Sequence, residues 1–294
     1  MDGHHASSEG HRIAAALRQR LDAAAPGRLA DAVRLITAHA FQIIATLRPS
    51  PEELDAVVQF LTEVGYATDA RRQEWVLLAD VFGLSDGVMN GDEGTPEGVT
   101  PSALAGPFYR ADAPLLPLGA DLCRNGEGDP LSVRGRVLSQ AGEGLAGAVV
   151  EVWHANALGR YENQDPDNQP EHNLRGRFIT DADGQFRFRT IRPAGYALPD
   201  DGPVGQLARR IGLSLDRPAH IHFAVTAPGH HRLVTAIFDG SDAAIDRDAL
   251  FAVKPGLIGD FRPDGPGWAL DVVLVLAGAD GGSPQKPKTH DMEG

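Results

Sequence analysis

The chain has 294 residues, 42% of them hydrophobic and 23% charged, a composition expected of a soluble globular protein with one domain of ordinary size and a smaller one. Forty acidic residues against 27 basic ones give a net charge of -13, which argues against nucleic acid or an anionic membrane as partner. The single cysteine, Cys123, excludes an intrachain disulfide and fits a reducing cytoplasm; no signal peptide is expected in Met1 to Arg20, and no run reaches the roughly 20 apolar residues of a membrane-spanning helix.

In chain order, the first part has a helical period. Ile13, Leu17 and Leu21 fall four apart, and Leu29, Val33, Ile36, Ala40, Ile43 and Leu47 keep a spacing of three to four. Ser50-Pro51-Glu52-Glu53 predicts a helix start, with Ser50 as N-cap and Glu53 closing a capping box; Leu54, Val57, Val58 and Leu61 continue its apolar face. A further helix is expected over Ala70 to Val81, and the Gly/Pro-rich stretch from Gly83 to Pro117 reads as linker. The period then becomes two. Strands are expected at 131–138, 148–154, 178–180, 185–189, 220–226, 233–238 and 268–277, with Asp183-Gly184 as a hairpin signal. Many short strands with frequent turns predict a β-sandwich, so the chain is expected to be mainly β with an all-helical N-terminal part. Residues 278–294 are polar and expected to fray.

His220-Ile221-His222 lies on an expected strand, so both imidazoles point to one face and can share a metal. A bare pair of this kind more often means two surface or hydrogen-bonded histidines. Tyr161 and Tyr196, each in a loop after a strand, are by themselves packed or half-exposed aromatics. Arg217 alone reads as a salt-bridge residue.

Taken in order, the motifs Gly106-Pro-Phe-Tyr109, Gly159-Arg-Tyr161, Asn173-Leu-Arg-Gly-Arg-Phe178, Tyr196-Ala-Leu-Pro199 and Arg217-Pro-Ala-His-Ile-His222 closely resemble those of the intradiol ring-cleavage dioxygenases: the catechol, chlorocatechol and hydroxyquinol 1,2-dioxygenases. The resemblance spans most of the chain. It implies a helical dimerisation domain over 1–105, a β-sandwich catalytic domain over 106–277 and a tail over 278–294. It also implies one Fe(III) bound by Tyr161, Tyr196, His220 and His222, with Tyr196 leaving the metal as substrate binds and Arg217 stabilising negative charge on the substrate. Hard phenolate oxygens favour Fe(III) over Fe(II). The implied partners are a small aromatic ortho-diol and O2, in a homodimer joined through the helices with a lipid-like molecule between them.

Leu84, Gly87, Gly106, Pro107, Phe108, Leu198, Pro199 and Ala236 are the implied pocket walls. Ala236 departs from the glutamine or histidine usual in that family, and Asp86-Gly87 from a more apolar stretch; both bear on the choice of substrate. Gly106-Pro-Phe-Tyr109, Leu233-Val-Thr235 and Leu250-Phe-Ala-Val-Lys254 lean towards the hydroxyquinol and chlorocatechol branches over plain catechol. The competing reading is a non-catalytic β-sandwich binding module of the prealbumin-like type. It accounts for residues 131–192 without a metal, but not for the ordered tyrosine, arginine and histidine set.

Overall fold

The computed structural model describes residues 5–24, 26–69, 72–91 and 95–279. The expected fraying of 278–294 falls almost wholly outside them. The chain forms two compact units, Met1–Tyr66 and Ala67–Gly294.

The first unit holds α1 (His5–Asp22), α2 (Arg28–Leu47) and α3 (Pro51–Tyr66). The expected capping box starts α3: Glu53 N donates to Ser50 Oγ at 3.2 Å and Ser50 N to Glu53 Oε2 at 2.7 Å. Arg34 ties α2 to the end of α1 by donating to the Leu21 carbonyl at 2.7 Å. Leu29, Ile36, Ile43 and Leu47 on α2, and Leu54, Val57, Val58 and Leu61 on α3, are exposed.

The second unit is a β-sandwich preceded by α4 (Glu74–Val81) and α5 (Leu84–Asn90). Its long strands are β1 (Pro130–Ser139), β2 (Val149–His154), β3 (Arg175–Ile179), β4 (Gln185–Ile191), β7 (His220–Thr226), β8 (Leu233–Asp239) and β11 (Gly267–Leu276). Short strands β5 (Tyr196–Ala197), β6 (Asp216–Arg217), β9 (Ile258–Gly259) and β10 (Arg262–Asp264), and α6 (Pro203–Ile211), complete it. One sheet has the order β10-β11-β1-β4, the other β3-β2-β7-β8-β9, and β5 pairs only with β6. Inward residues alternate as the period of two requires: Val133, Val137, Phe186 and Phe188 from one sheet share a core with Val150, Val152, Ile221 and Phe223 from the other. Each such side chain contributes roughly 1.5–3 kcal/mol by leaving water.

Four expectations need correction. The Asp183-Gly184 turn joins β3 to β4 but closes no hairpin, because β3 pairs with β2 in one sheet and β4 with β1 in the other. The linker is not wholly irregular, because α5 occupies Leu84–Asn90. The strand expected at 178–180 begins earlier, at Arg175, since it pairs with β2 from Trp153 back to Val149. The helix expected from Ala70 starts at Glu74, residues 70 and 71 lying outside those described. The sequence reading also omitted α6.

Candidate metal centre

The strand pattern sets up the site. Ile221 and Phe223 point into the sandwich core, so His220 and His222 project from the opposite face of β7. On that face Trp153 of β2 pairs with His222, and His222 pairs with Ala236 of β8. Trp153 stacks flat on the His222 ring, centroids 4.8 Å apart, and Tyr109 meets Trp153 edge-on at 5.1 Å. Tyr109 is itself held by Glu151 and Arg232, so it packs and braces.

Two loops bring in the tyrosines. Asn156 Oδ1 accepts from the amides of Leu158 and Arg160, folding the turn that leads to Tyr161. The Asn156 carbonyl accepts from Ala194 N and so binds this loop to the one carrying Tyr196. Gly159 (φ 74°) lies where the two meet: a Cβ there would stand 2.7 Å from the Gly195 carbonyl oxygen and 2.9 Å from Tyr196 Cβ. Tyr196 is then aligned by the two-residue ladder that pairs it with Arg217. The chain runs directly from Arg217 through Pro218 and Ala219 to His220.

These elements bring all four expected metal-site residues together. The rings of Tyr161 and Tyr196 lie 6.0 Å apart, those of Tyr196 and His220 5.7 Å, and those of His220 and His222 4.7 Å. His220 Nδ1 donates to the Pro218 carbonyl at 2.7 Å, which leaves its Nε2 lone pair free. That atom faces His222 Nε2 at 3.1 Å. Burial holds both imidazoles well below the usual histidine pKa, hence neutral. Among the described residues, the buried Tyr161 Oη makes no hydrogen bond of ordinary geometry. Burial, followed by the neighbouring Tyr196, raises its pKa well above the usual tyrosine value. Two convergent neutral nitrogens and an orphaned buried phenol oxygen form a donor set suited to a hard cation, which would also supply the charge a buried phenolate lacks.

Of the expected wall residues, Phe108 stacks on Tyr161 at 4.4 Å and Ala236 is fully buried beside His222. Gly106 and Pro107 precede Phe108 in an exposed turn. Leu198, two residues after Tyr196, is fixed by its amide to the Leu215 carbonyl, and Pro199 follows it, exposed. Leu84 and Gly87 sit exposed on α5. The unusual Asp86 has a partner of its own: Lys254 donates to it at 2.8 Å and to the Ser102 carbonyl at 3.0 Å, fastening α5 to the 251–257 segment.

Four groups escaped the sequence reading. Glu162, next to Tyr161, is buried and takes a hydrogen bond from the buried Arg175 at 2.6 Å and one from Arg110 at 3.2 Å, which anchors the Tyr161 loop. His154 lies buried between the Ala155 carbonyl and Thr190 Oγ1. Asp248 accepts from Arg217 Nε at 3.0 Å. Asp80 on α4 has a buried Oδ1 without a partner among the described residues; burial raises its pKa, while a hydrogen bond from Ser85 and the charge on Arg217 act in the opposite sense. Asp80 alone had a local signal, as an acid inside the apolar run from Trp75 to Phe82.

Comparison with known proteins accords with this geometry. A family model described as "Dioxygenase" matches residues 104–273, and one described as "Catechol dioxygenase N terminus" matches 27–100. The chain is 41% identical over 263 residues to hydroxyquinol 1,2-dioxygenase of Rhizobium sp. (strain MTP-10005), covering 85% of this chain and 89% of that one. It is 38% identical over 268 residues to 6-chlorohydroxyquinol 1,2-dioxygenase of Cupriavidus pinatubonensis, covering 90% and 96%. The crystal structure of hydroxyquinol 1,2-dioxygenase from Pseudomonas putida DLL-E4 superposes with a TM-score of 0.86 at 31% identity, over 92% of this chain and 99% of that one. The chain therefore belongs to the intradiol ring-cleavage dioxygenases and is an enzyme of that class. The non-catalytic binding module finds no support.

Proposed function

We propose that this enzyme cleaves hydroxyquinol, with catechol and chlorocatechols as poorer substrates, at an Fe(III) held by Tyr161, Tyr196, His220 and His222. The observation that carries the metal reading is the buried Tyr161 Oη, without a partner, beside two imidazole nitrogens that face each other. Bound there, ferric iron supplies a Lewis acid that draws electron density from an ortho-diolate and opens its ring carbons to dioxygen. Both oxygen atoms of O2 end in the ring-opened diacid, so no external reductant is consumed.

The chain's residues do the rest. Tyr196 is only partly buried, unlike Tyr161, so it is the phenolate able to move and to take a proton from the arriving diol. Arg217, 3% exposed, offers a fixed positive charge for negative charge developing on the substrate. Phe108 and Trp153 keep water from the inner side of the site through their stacking on Tyr161 and His222.

Asp80 favours hydroxyquinol. A third ring hydroxyl can donate to its unpartnered oxygen, whereas catechol leaves that oxygen bare, and a buried polar atom left unpaired discriminates strongly. Asp80→Leu is expected to lower kcat/KM for hydroxyquinol by about tenfold or more while catechol is held or improved. An equal loss on both substrates would remove Asp80 from the specificity argument. The exposed apolar faces of α2 and α3 support a homodimer through these helices with space for a lipid-like molecule, and Cys123 as the only cysteine supports a cytoplasmic location.

A further inference from the structure

Arg217 is buried, yet of its guanidinium nitrogens only Nε has a hydrogen bond among the described residues, to Asp248 Oδ1 at 3.0 Å. A guanidinium is planar, so fixing Nε–H fixes the direction of both terminal nitrogens. The bond therefore acts as an alignment pin, and the terminal nitrogens remain available for a substrate. Asp248 is 7% exposed, and its second oxygen accepts from Ala252 N at 2.8 Å. Its carbonyl accepts from Phe251 N, and the amide of the next residue, Ala249, donates to the carbonyl of Asp216, the neighbour of Arg217. Within this turn Phe251 is held at φ 56°, a conformation bulky residues rarely adopt without a surrounding structure that enforces it. One carboxylate thus ties the Arg217 guanidinium to the 248–252 turn.

We propose that Asp248 is the positioning residue for Arg217: it aims the guanidinium at the reacting ring and sets turnover through Arg217 alone, without touching substrate or metal. The proposal rests on Arg217 facing the substrate.

The test is a double-mutant cycle on the full-length, iron-loaded enzyme, comparing wild type, Asp248→Asn, Arg217→Leu and the double variant. Two readouts are taken: oxygen uptake, and anaerobic catechol affinity from the visible absorption of the bound diol. The single amide oxygen of asparagine can accept from Arg217 Nε or from Ala252 N, and its amide nitrogen, a donor, can replace neither acceptor. Asp248→Asn is expected to lower kcat and kcat/KM together by about tenfold or more, with anaerobic affinity and resting colour nearly unchanged, as for a group that acts only in the transition state. On the Arg217→Leu background the same change is expected to alter kcat less than about threefold, because the residue it aims is gone. Asp248→Glu, which restores an acceptor for Nε, is expected to recover part of the loss.

Multiplicative losses in the double variant would mean that Asp248 acts independently of Arg217 and would overturn the proposal. So would a bleached Asp248→Asn enzyme, normal turnover by it, or failure of both Asp248 variants to fold, each of which assigns the residue elsewhere. Normal turnover by Arg217→Leu would instead remove the role given to Arg217 itself, a separate result.

Discussion

At the scale of single residues, the two tyrosines differ in burial, and the separate roles proposed for them rest on that difference. Tyr161 is sealed beneath Phe108 and braced by the Glu162–Arg175 pair, whereas Tyr196 rides on a two-residue ladder at the rim. Tyr196→Phe is expected to change the resting visible spectrum and to lower kcat by about 10²-fold, the scale of a lost proton acceptor; an unchanged spectrum in the iron-loaded variant would exclude Tyr196 as a ligand. His154 carries the clearest pH signature. Burial pushes its pKa down to about 4 from an ordinary 6.5. Between those values the unfolded chain holds a proton there that the native chain does not, so stability rises with pH across this window and is lost as pH falls from 6.5 towards 4. The full span is on the order of 3 kcal/mol. Replacing His154 with Gln should flatten that part of the curve by about one proton in denaturant titrations at several pH values, and an unchanged slope would contradict the assignment. His220 and His222, likewise neutral by burial, contribute in the same direction and remain in the variant.

At the scale of elements, α4 and α6 are joined by one side chain. Glu74 is fully buried; its Oε1 accepts from Val204 N in the first turn of α6 and its Oε2 from Arg72 Nε at 2.7 Å. Arg72 also reaches Asp201 at 3.0 Å, so the segment after Leu198-Pro199 is fixed against the helix that bears Asp80. Glu74→Ala is expected to cost about 1–3 kcal/mol in denaturant unfolding, the range for a buried hydrogen-bonded group and a lost cap, and to raise KM for the diol; a change below about 0.5 kcal/mol would show that the loop is held by other contacts.

This network also explains what was legible in the sequence. Periods of two and three to four and the Ser50 capping box are local signals, and the long strands and first helices followed them; Asp183-Gly184 marks a turn but not a hairpin, since the strands it joins belong to different sheets. The helix α6 has Pro203 at its first position but its N-terminus is satisfied by Glu74, 130 positions away, and α5 is fastened by Lys254, 168 positions away, so what holds each lies far off in the chain. The same holds for Asp248, whose partner lies 31 positions off. The four residues proposed to hold the metal were singled out because their motifs follow one another in a distinctive order, while Glu162 is buried in a way that spacing does not reveal and Asp80 was signalled only as an acid inside an apolar run.

At the scale of the whole molecule, α2 and α3 expose Leu29, Ile36, Ile43, Leu47, Leu54 and Leu61, and exposed apolar side chains gathered on neighbouring helices ordinarily mark an interaction surface. Light scattering at micromolar concentration is expected to give twice the 31.2 kDa chain mass, and only the single-chain mass would contradict a dimer. Among the described residues no helix is long and apolar enough to cross a membrane. The family models meet near residue 100, close to the expected boundary at 105, whereas the chain's own contacts divide it at Tyr66, because α4 and α5 pack with the sandwich through Glu74 and Lys254. The central claim, ring cleavage between the two hydroxyl-bearing carbons at a tyrosinate-ligated ferric site, is tested most directly by the products of purified, iron-loaded enzyme acting on catechol under isotopically heavy dioxygen. The account predicts a colourless dicarboxylic acid carrying oxygen from O2, formed by a coloured enzyme without added reductant; a yellow aldehyde-acid, the product of cleavage beside the diol, would contradict it.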